Sequence, residues 1–162
     1  MTSNEQDMLL SKLHATQNVL EYGSGNSTIV LENKVQSLTS VEHNIEWYNK
    51  IKSQTSKVRL LYHKSNNYSP PHDGSYAEFK EYIESPLPYA PFDIIIIDGR
   101  ARYHCAKFAH QYLSTYMTLY FIHDFTEDID KLLSEGREDY IKVLDFFDII
   151  DKTDSLYLFK AK

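Results

Sequence analysis

Cysteine is nearly absent, with Cys105 the sole one in 162 residues. An intrachain disulfide is thereby excluded, and so is a zinc site of the CxxC type. Tryptophan occurs once, and glycine and proline only five times each. That leaves no low-complexity tract, internal repeat or domain linker. No apolar run approaches the ~18 residues of a membrane span. The polar N-terminus lacks the apolar core of a secretion signal. The expectation is a cytoplasmic protein with no membrane contact. No run of like charge stands out, and the net charge is −6. Nucleic-acid binding therefore has no electrostatic support, and no nucleic-acid partner is expected.

What is present suits one globular domain over residues 1–162 with a sizeable core. Hydrophobic residues make up 42% of the chain, and tyrosine is abundant at 13. Cys105 falls in a helical stretch and reads as a small buried residue.

Apolar spacing in DMLLSKLHATQ (7–17) predicts a short helix. NVLEYG reads as a strand entering a glycine turn. NSTIVLENK follows as a helix capped by Asn26, Ser27 and Thr28. VQSLTSVEH (35–43) is a second strand, NIEWYNKIKSQ a helix capped by Asn44, and KVRLLYHK (57–64) a third strand. After a loop over 65–75 come a helix at 76–85 and the linker PLPYAP. FDIIIID (92–98) is the clearest strand, and its unbroken isoleucine run fits burial on both faces. RARYHCAKFAHQYLS reads as a helix, YMTLYFIHDF as a strand and REDYIKVLDFF as a helix. Two strands around a turn at 152–154 close the chain. Strands alternating with helices predict a doubly wound α/β sheet.

Such sheets bind ligands at the carboxyl ends of their strands. The first strand ends in VLEYGSGNST. Gly23 and Gly25 let a ligand approach the backbone closely. The third glycine of a dinucleotide fingerprint would stand at Thr28, and no P-loop lysine is present. Glu21 would repel a pyrophosphate and attract an ammonium or sulfonium group. S-adenosylmethionine carries both cations and no phosphate. Glu42 ends the second strand, 19 positions after Gly23, where a carboxylate can accept hydrogen bonds from both ribose hydroxyls.

VLEYGSGNST, SVEHNIEWYNKI and FDIIIIDGRARYHCA look like the first, second and fourth motifs of class I S-adenosylmethionine-dependent methyltransferases. The resemblance covers nearly the whole chain. It implies a Rossmann-like seven-stranded sheet, mostly parallel with the last strand antiparallel and helices on both faces. It also implies that Glu21, Gly23, Ser24, Gly25, Asn26 and Ser27 line the methionine part of the cofactor. Glu42 would hold the ribose, with His43 beside the adenine and Asp98 and Gly99 near the methyl group. Many such enzymes carry a Pro-Gly-Gly turn before the fifth strand, which YLSTYMTLYF lacks.

Methyl transfer needs an aligned acceptor and, for a hydroxyl, removal of its proton. Asp98 ends an apolar strand, and His123 and Asp124 end the next. These three can converge, either as a general base or as an oxygen-rich site for Mg or Mn. Arg100 and Arg102 suit a carboxylate, phosphate or polyol on the acceptor. Glu5 lies in a segment that resembles the one closing over the cofactor in related enzymes, and is expected to touch substrate. His72, Asp73 and Gly74 are placed to reach the adenine or the substrate. The expected activity is O-methylation of a small-molecule or sugar hydroxyl, with a glycan residue among the candidate acceptors. The alternative is a non-catalytic cofactor-binding or partner module of the same fold.

Overall fold

The computed structural model describes residues 1–70 and 72–162. Seven strands form one sheet. They are β1 (Asn18–Tyr22), β2 (Ser37–Glu42), β3 (Arg59–Tyr62), β4 (Phe92–Ile97), β5 (Ser114–Ile122), β6 (Phe147–Thr153) and β7 (Leu156–Ala161). Their spatial order is β3-β2-β1-β4-β5-β7-β6. β1 to β5 pair in parallel, and β7 runs antiparallel to both its neighbours. The order reverses between β1 and β4, where sheets of this kind open a ligand crevice.

Ile94, Ile95, Ile96 and Ile97 are each 0% exposed. Alternate residues of β4 feed two cores: Ile95 and Ile97 on one face, Ile94 and Ile96 on the other. Among the described residues six α-helices accompany the sheet: α1 (Ser3–Ser11), α2 (Asn26–Leu31), α3 (Ile45–Lys52), α4 (Tyr76–Glu84), α5 (Arg102–Tyr112) and α6 (Ile129–Ser134). Cys105 lies on the buried face of α5.

Several boundaries differ from those the sequence suggests. α1 starts four residues earlier than the apolar spacing implies, because Thr2 and Glu5 form a reciprocal capping box. Gly25, rather than a hydroxylated residue, occupies the N-cap of α2. Thr28 Oγ1 accepts the Gly25 N–H at 2.8 Å. The stretch after Arg137 winds as 3-10 turns over Glu138–Asp145 instead of an α-helix. β6 runs on through Thr153, so the turn into β7 is Asp154–Ser155. In place of a Pro-Gly-Gly turn, β5 opens with a register shift against β4 between Phe92 and Ile94. Thr118 Oγ1 donates to the Phe92 carbonyl there at 2.7 Å and accepts the Thr115 N–H at 2.9 Å. No helix among the described residues is long and apolar enough to cross a membrane.

Candidate active site

The carboxyl ends of β1, β2, β4 and β5 open into one cavity of about 720 Å³. Gly23 adopts a left-handed φ of +95° in the turn after β1. A Cβ there would lie 2.6 Å from Gly99 Cα. Glycine is needed at 23 because the turns after β1 and β4 touch. At Gly25 a Cβ would meet only Ser27 Oγ and Trp47 Nε1, both at 3.9 Å. Gly25 therefore leaves backbone open to the cavity, beside Ser24, Asn26 and Ser27.

Glu21 departs from its expected place. It is 0% exposed and does not reach the cavity wall. It pairs across the sheet with Ser40, and its carboxylate accepts the hydroxyls of Ser27, Thr28 and Ser40. Burial pushes its pKa up to about 7, against the pull of those three hydroxyls. Glu21 braces the glycine turn from inside, and its influence on a ligand runs through Ser27.

Glu42 does line the cavity. Its Oε1 accepts the N–H groups of His43 at 2.8 Å and Asn44 at 2.7 Å, and its Oε2 accepts that of Ser24 at 3.0 Å. A carboxylate oxygen carries two lone pairs, so Oε2 retains one. His43 is held edge-on by Phe79 and Tyr82, with its buried Nδ1 unpaired by any hydrogen bond among the described residues. Trp47, not anticipated from sequence, closes this wall, and its Nε1–H donates to the Ser24 carbonyl. Asn44 capping α3 was the available signal. It puts Trp47 in the first helical turn, directly beyond the β2 end.

Asp98, His123 and Asp124 do meet. Asp98 and Asp124 line the cavity. His123 stands behind Asp98 and does not reach the wall, so the expectation of a cavity-facing imidazole is corrected. Its Nδ1 lies 2.8 Å from Asp98 Oδ1 and 3.3 Å from Asp124 Oδ1. Both carboxylates face this nitrogen, Asp98 the nearer. Burial works against a charged ring, but Asp98, Asp124 and Glu5 outweigh it and raise the His123 pKa. Asp124 holds a left-handed φ of +52°, which an aspartate tolerates better than most residues.

Glu5 is also corrected. It is 1% exposed, turned away from the cavity, and wedged between α1 and the β6–β7 turn. Its carboxylate accepts the Thr2 N–H at 2.7 Å, and the Ser155 N–H at 3.0 Å and hydroxyl at 2.8 Å. Burial opposes its charge, yet those bonds and His123 bring its pKa down to about 2.

Arg102 is 5% exposed and lines the cavity. Its guanidinium donates to the carbonyls of Gly99 and His123 and to Asp124 Oδ2 at 3.1 Å. It straps the β4 turn to the β5 turn, with Nη2 making no hydrogen bond among the described residues and lying 3.9 Å from Asp98 Oδ1. Its backbone N–H donates to Asp73 Oδ2 at 2.6 Å, and Asp73 Oδ1 accepts the Tyr140 hydroxyl at 2.8 Å. Asp73 is thus docked on the start of α5, and none of His72, Asp73 and Gly74 lines the cavity. Arg100 does line it, 5.8 Å from the Tyr68 ring. Arg137 lines it too, 3.4 Å from Glu135 and 4.0 Å from Asp124. It was missed because the loop carrying it is remote in sequence and bears no motif.

Asp98, His123 and Asp124 place ligand-type atoms within 4.8 Å of one another. They do not fit a divalent cation well. The Arg102 guanidinium already stands 3.1 Å from Asp124 and 3.9 Å from Asp98. A metal ion would face that fixed positive charge.

The chain matches no family model and no curated protein. Solved structures share its fold over nearly its full length. A methyltransferase-like protein from Silicibacter pomeroyi DSS-3 is 20% identical, with a TM-score of 0.69 over 100% of this chain and 87% of that one. A TehB-like SAM-dependent methyltransferase from Corynebacterium glutamicum is 11% identical, with a TM-score of 0.58 over 98% and 87%. An rRNA methylase from Streptococcus thermophilus is 14% identical, with a TM-score of 0.58 over 98% and 94%. The likeness is one of fold: a Rossmann-like seven-stranded sheet with its last strand reversed.

Proposed function

We propose that the protein is an S-adenosylmethionine-dependent methyltransferase acting on a hydroxyl of a small molecule or sugar. What carries this reading is one alignment along a single cavity: open backbone at Gly25, a carboxylate with a spare lone pair at Glu42, and a half-buried carboxylate at the wall at Asp98. Ser24, Gly25, Asn26 and Ser27 would hold the methionine part of the cofactor. Glu42 Oε2 would accept from the ribose, and His43 and Trp47 would flank the adenine.

When bound, the cofactor supplies a methyl group on a positively charged sulfur. The chain's own part is to bring the acceptor oxygen into line and take its proton. Asp98 is the group at the wall that can do so. Arg100 is placed to steady a carboxylate, phosphate or polyol on the acceptor. The fold also serves a protein described as an rRNA methylase. The acidic balance, rather than the fold, is what favours a non-nucleic acceptor here.

Calorimetry with S-adenosylmethionine and its demethylated product tests the cofactor. Labelled-methyl turnover over a panel of glycans and phenols then tests the acceptor class. Binding without turnover on any hydroxyl would favour the non-catalytic module. Absence of binding would sink both readings.

A further inference from the structure

Three arginines line the cavity, and the fold accounts for one of them. Arg102 donates to two backbone carbonyls and to Asp124. Arg100 makes no hydrogen bond or ion pair through its side chain among the described residues, and only the Tyr68 ring stands near it, at 5.8 Å. Arg137 makes no side-chain hydrogen bond among the described residues either. Its Nη1 lies 3.4 Å from Glu135 and 4.0 Å from Asp124, and its Nε and Nη2 meet no acceptor. Both residues are half-buried.

These two groups share one edge of the cavity. Arg100 follows β4, and Arg137 opens the 3-10 turns over Glu138–Asp145. Burial pushes the Tyr68 hydroxyl pKa up, and the charges of Arg100 and Arg137 both pull against it. The carboxylates on the β4–β5 side are already matched. Asp124 has Arg102 at 3.1 Å, and Asp98 has His123 at 2.8 Å and Arg102 at 3.9 Å. Glu42 and Glu46 belong to the β2 side. Arg100 and Arg137 therefore leave an excess of positive charge at their edge.

A guanidinium offers five N–H donors and no acceptor. Two of them at one edge repel each other, and a ligand that covers them must replace lost water with acceptors and negative charge. A neutral polyol brings lone pairs without charge, and each hydroxyl adds a donor that no guanidinium can accept. An ionised carboxylate or phosphate brings acceptors in the spacing that the fork of an arginine matches.

We propose that Arg100 and Arg137 form an oxyanion-binding subsite, so that the acceptor is an acid: a hydroxylated compound whose carboxylate or phosphate lies on these two arginines while its hydroxyl faces Asp98. The acceptor class rests on the methyl-transfer reading, whereas the subsite itself stands on the two arginines. Asp98 and Asp124 repel such a ligand, and the Arg102 guanidinium beside both offsets that repulsion. The chain as a whole carries a net charge of −6. Attraction of an anion is thus local to this edge and should vanish with its arginines.

Glucose, glucuronate and the phosphate ester of glucose at its primary hydroxyl share one ring and differ at the terminal carbon. Hydroxybenzoate against hydroxybenzyl alcohol repeats the comparison on a phenol. Each probe is titrated into the free protein and into protein saturated with the demethylated cofactor, followed by proton–nitrogen spectra of the backbone and arginine side chains. On at least one scaffold an acid should bind about tenfold or more tighter than its neutral partner, within what hydrogen bonds to charged groups supply. The Arg100 and Arg137 Nε–H signals should move with it. Binding of the carboxylate, of the phosphate or of both supports the subsite and tells which anion it takes. Arg100→Gln and Arg137→Gln should each lose about tenfold or more of the acid affinity, with S-adenosylmethionine affinity within about twofold of wild type. Should either fail to fold, Arg→Lys at that position serves, since lysine keeps the charge and loses the fork. Equal affinity for acid and neutral probes on both scaffolds, or wild-type acid affinity in a folded variant at either arginine, overturns the proposal. Failure of the methyl-transfer reading would show in the calorimetry with S-adenosylmethionine and leave acid binding by the free protein standing.

Discussion

Glu42 Oε2, at the end of β2, accepts the backbone N–H of Ser24 in the turn after β1 at 3.0 Å. The same carboxylate thus shapes the turn beside Gly25 and offers an acceptor to a ligand lying across it. Glu42→Gln should keep the fold and weaken S-adenosylmethionine binding by roughly 1–3 kcal/mol, the range for hydrogen bonds to charged groups. Titration calorimetry reads this directly. Wild-type affinity in a folded variant would remove Glu42 from the ribose.

The two glycines of the turn should separate under substitution. Gly23→Ala forces a Cβ to 2.6 Å from Gly99 at a left-handed φ. It should cost more than about 2 kcal/mol of stability. Gly25→Ala meets nothing closer than 3.9 Å. It should leave stability within about 0.5 kcal/mol. Its cofactor affinity should fall about tenfold or more, the effect of ~1.4 kcal/mol of lost contact. Denaturant melts and calorimetry on both variants check the split, and equal effects on both would erase it.

Glu21 predicts a pH slope. The folded protein keeps the Glu21 proton up to about pH 7, whereas the group ordinarily loses it near 4.5. Folding therefore takes up a proton between those values, and stability falls as pH rises through that window. The loss from this residue is on the order of 3 kcal/mol. Glu21→Gln cannot ionise, so its stability relative to wild type should improve between pH 5 and pH 8. Parallel melting curves for the two proteins across that range would contradict the assignment.

Much of the fold is written in local pattern. An isoleucine run buried on both faces announces β4, and strand–helix alternation announces the parallel sheet. Thr2 and Glu5, three apart, carried the signal for the true start of α1, but the apolar spacing after it was the stronger cue. The cavity wall was legible where a motif sits at a strand end, as at Gly25, Glu42 and Asp98. It was illegible where a residue's partner is far along the chain. Glu5 looked like a substrate contact because nothing near it in sequence mentions Ser155 or His123. Arg102 looked free because its acceptors belong to two different turns. Glu21 looked exposed to ligand because the hydroxyls of Ser27, Thr28 and Ser40 converge on it only once β1 and β2 pair.

Asp98→Asn should preserve the fold and most of the cofactor affinity. Its turnover should drop by about 100-fold or more, as expected for removing a positioned proton acceptor. Chelators should leave wild-type turnover unchanged, since Arg102 already supplies the positive charge beside Asp98 and Asp124. Activity lost to a chelator and restored by Mg or Mn would reinstate a metal at this cluster. Wild-type turnover in Asp98→Asn would take the carboxylate out of the chemistry.

Glu5 and Ser155 stand 150 positions apart in the chain yet share two hydrogen bonds. During synthesis, the Gly25 turn and the β2 end emerge within the first third of the sequence. The brace behind His123 cannot form until the final hairpin has left the ribosome. Domains fold largely as units, and contacts this remote are slow to close. A nascent chain would therefore shape the Gly25–Glu42 wall of the cavity well before the contacts behind His123, and Glu5 and Ser155 would be late to meet.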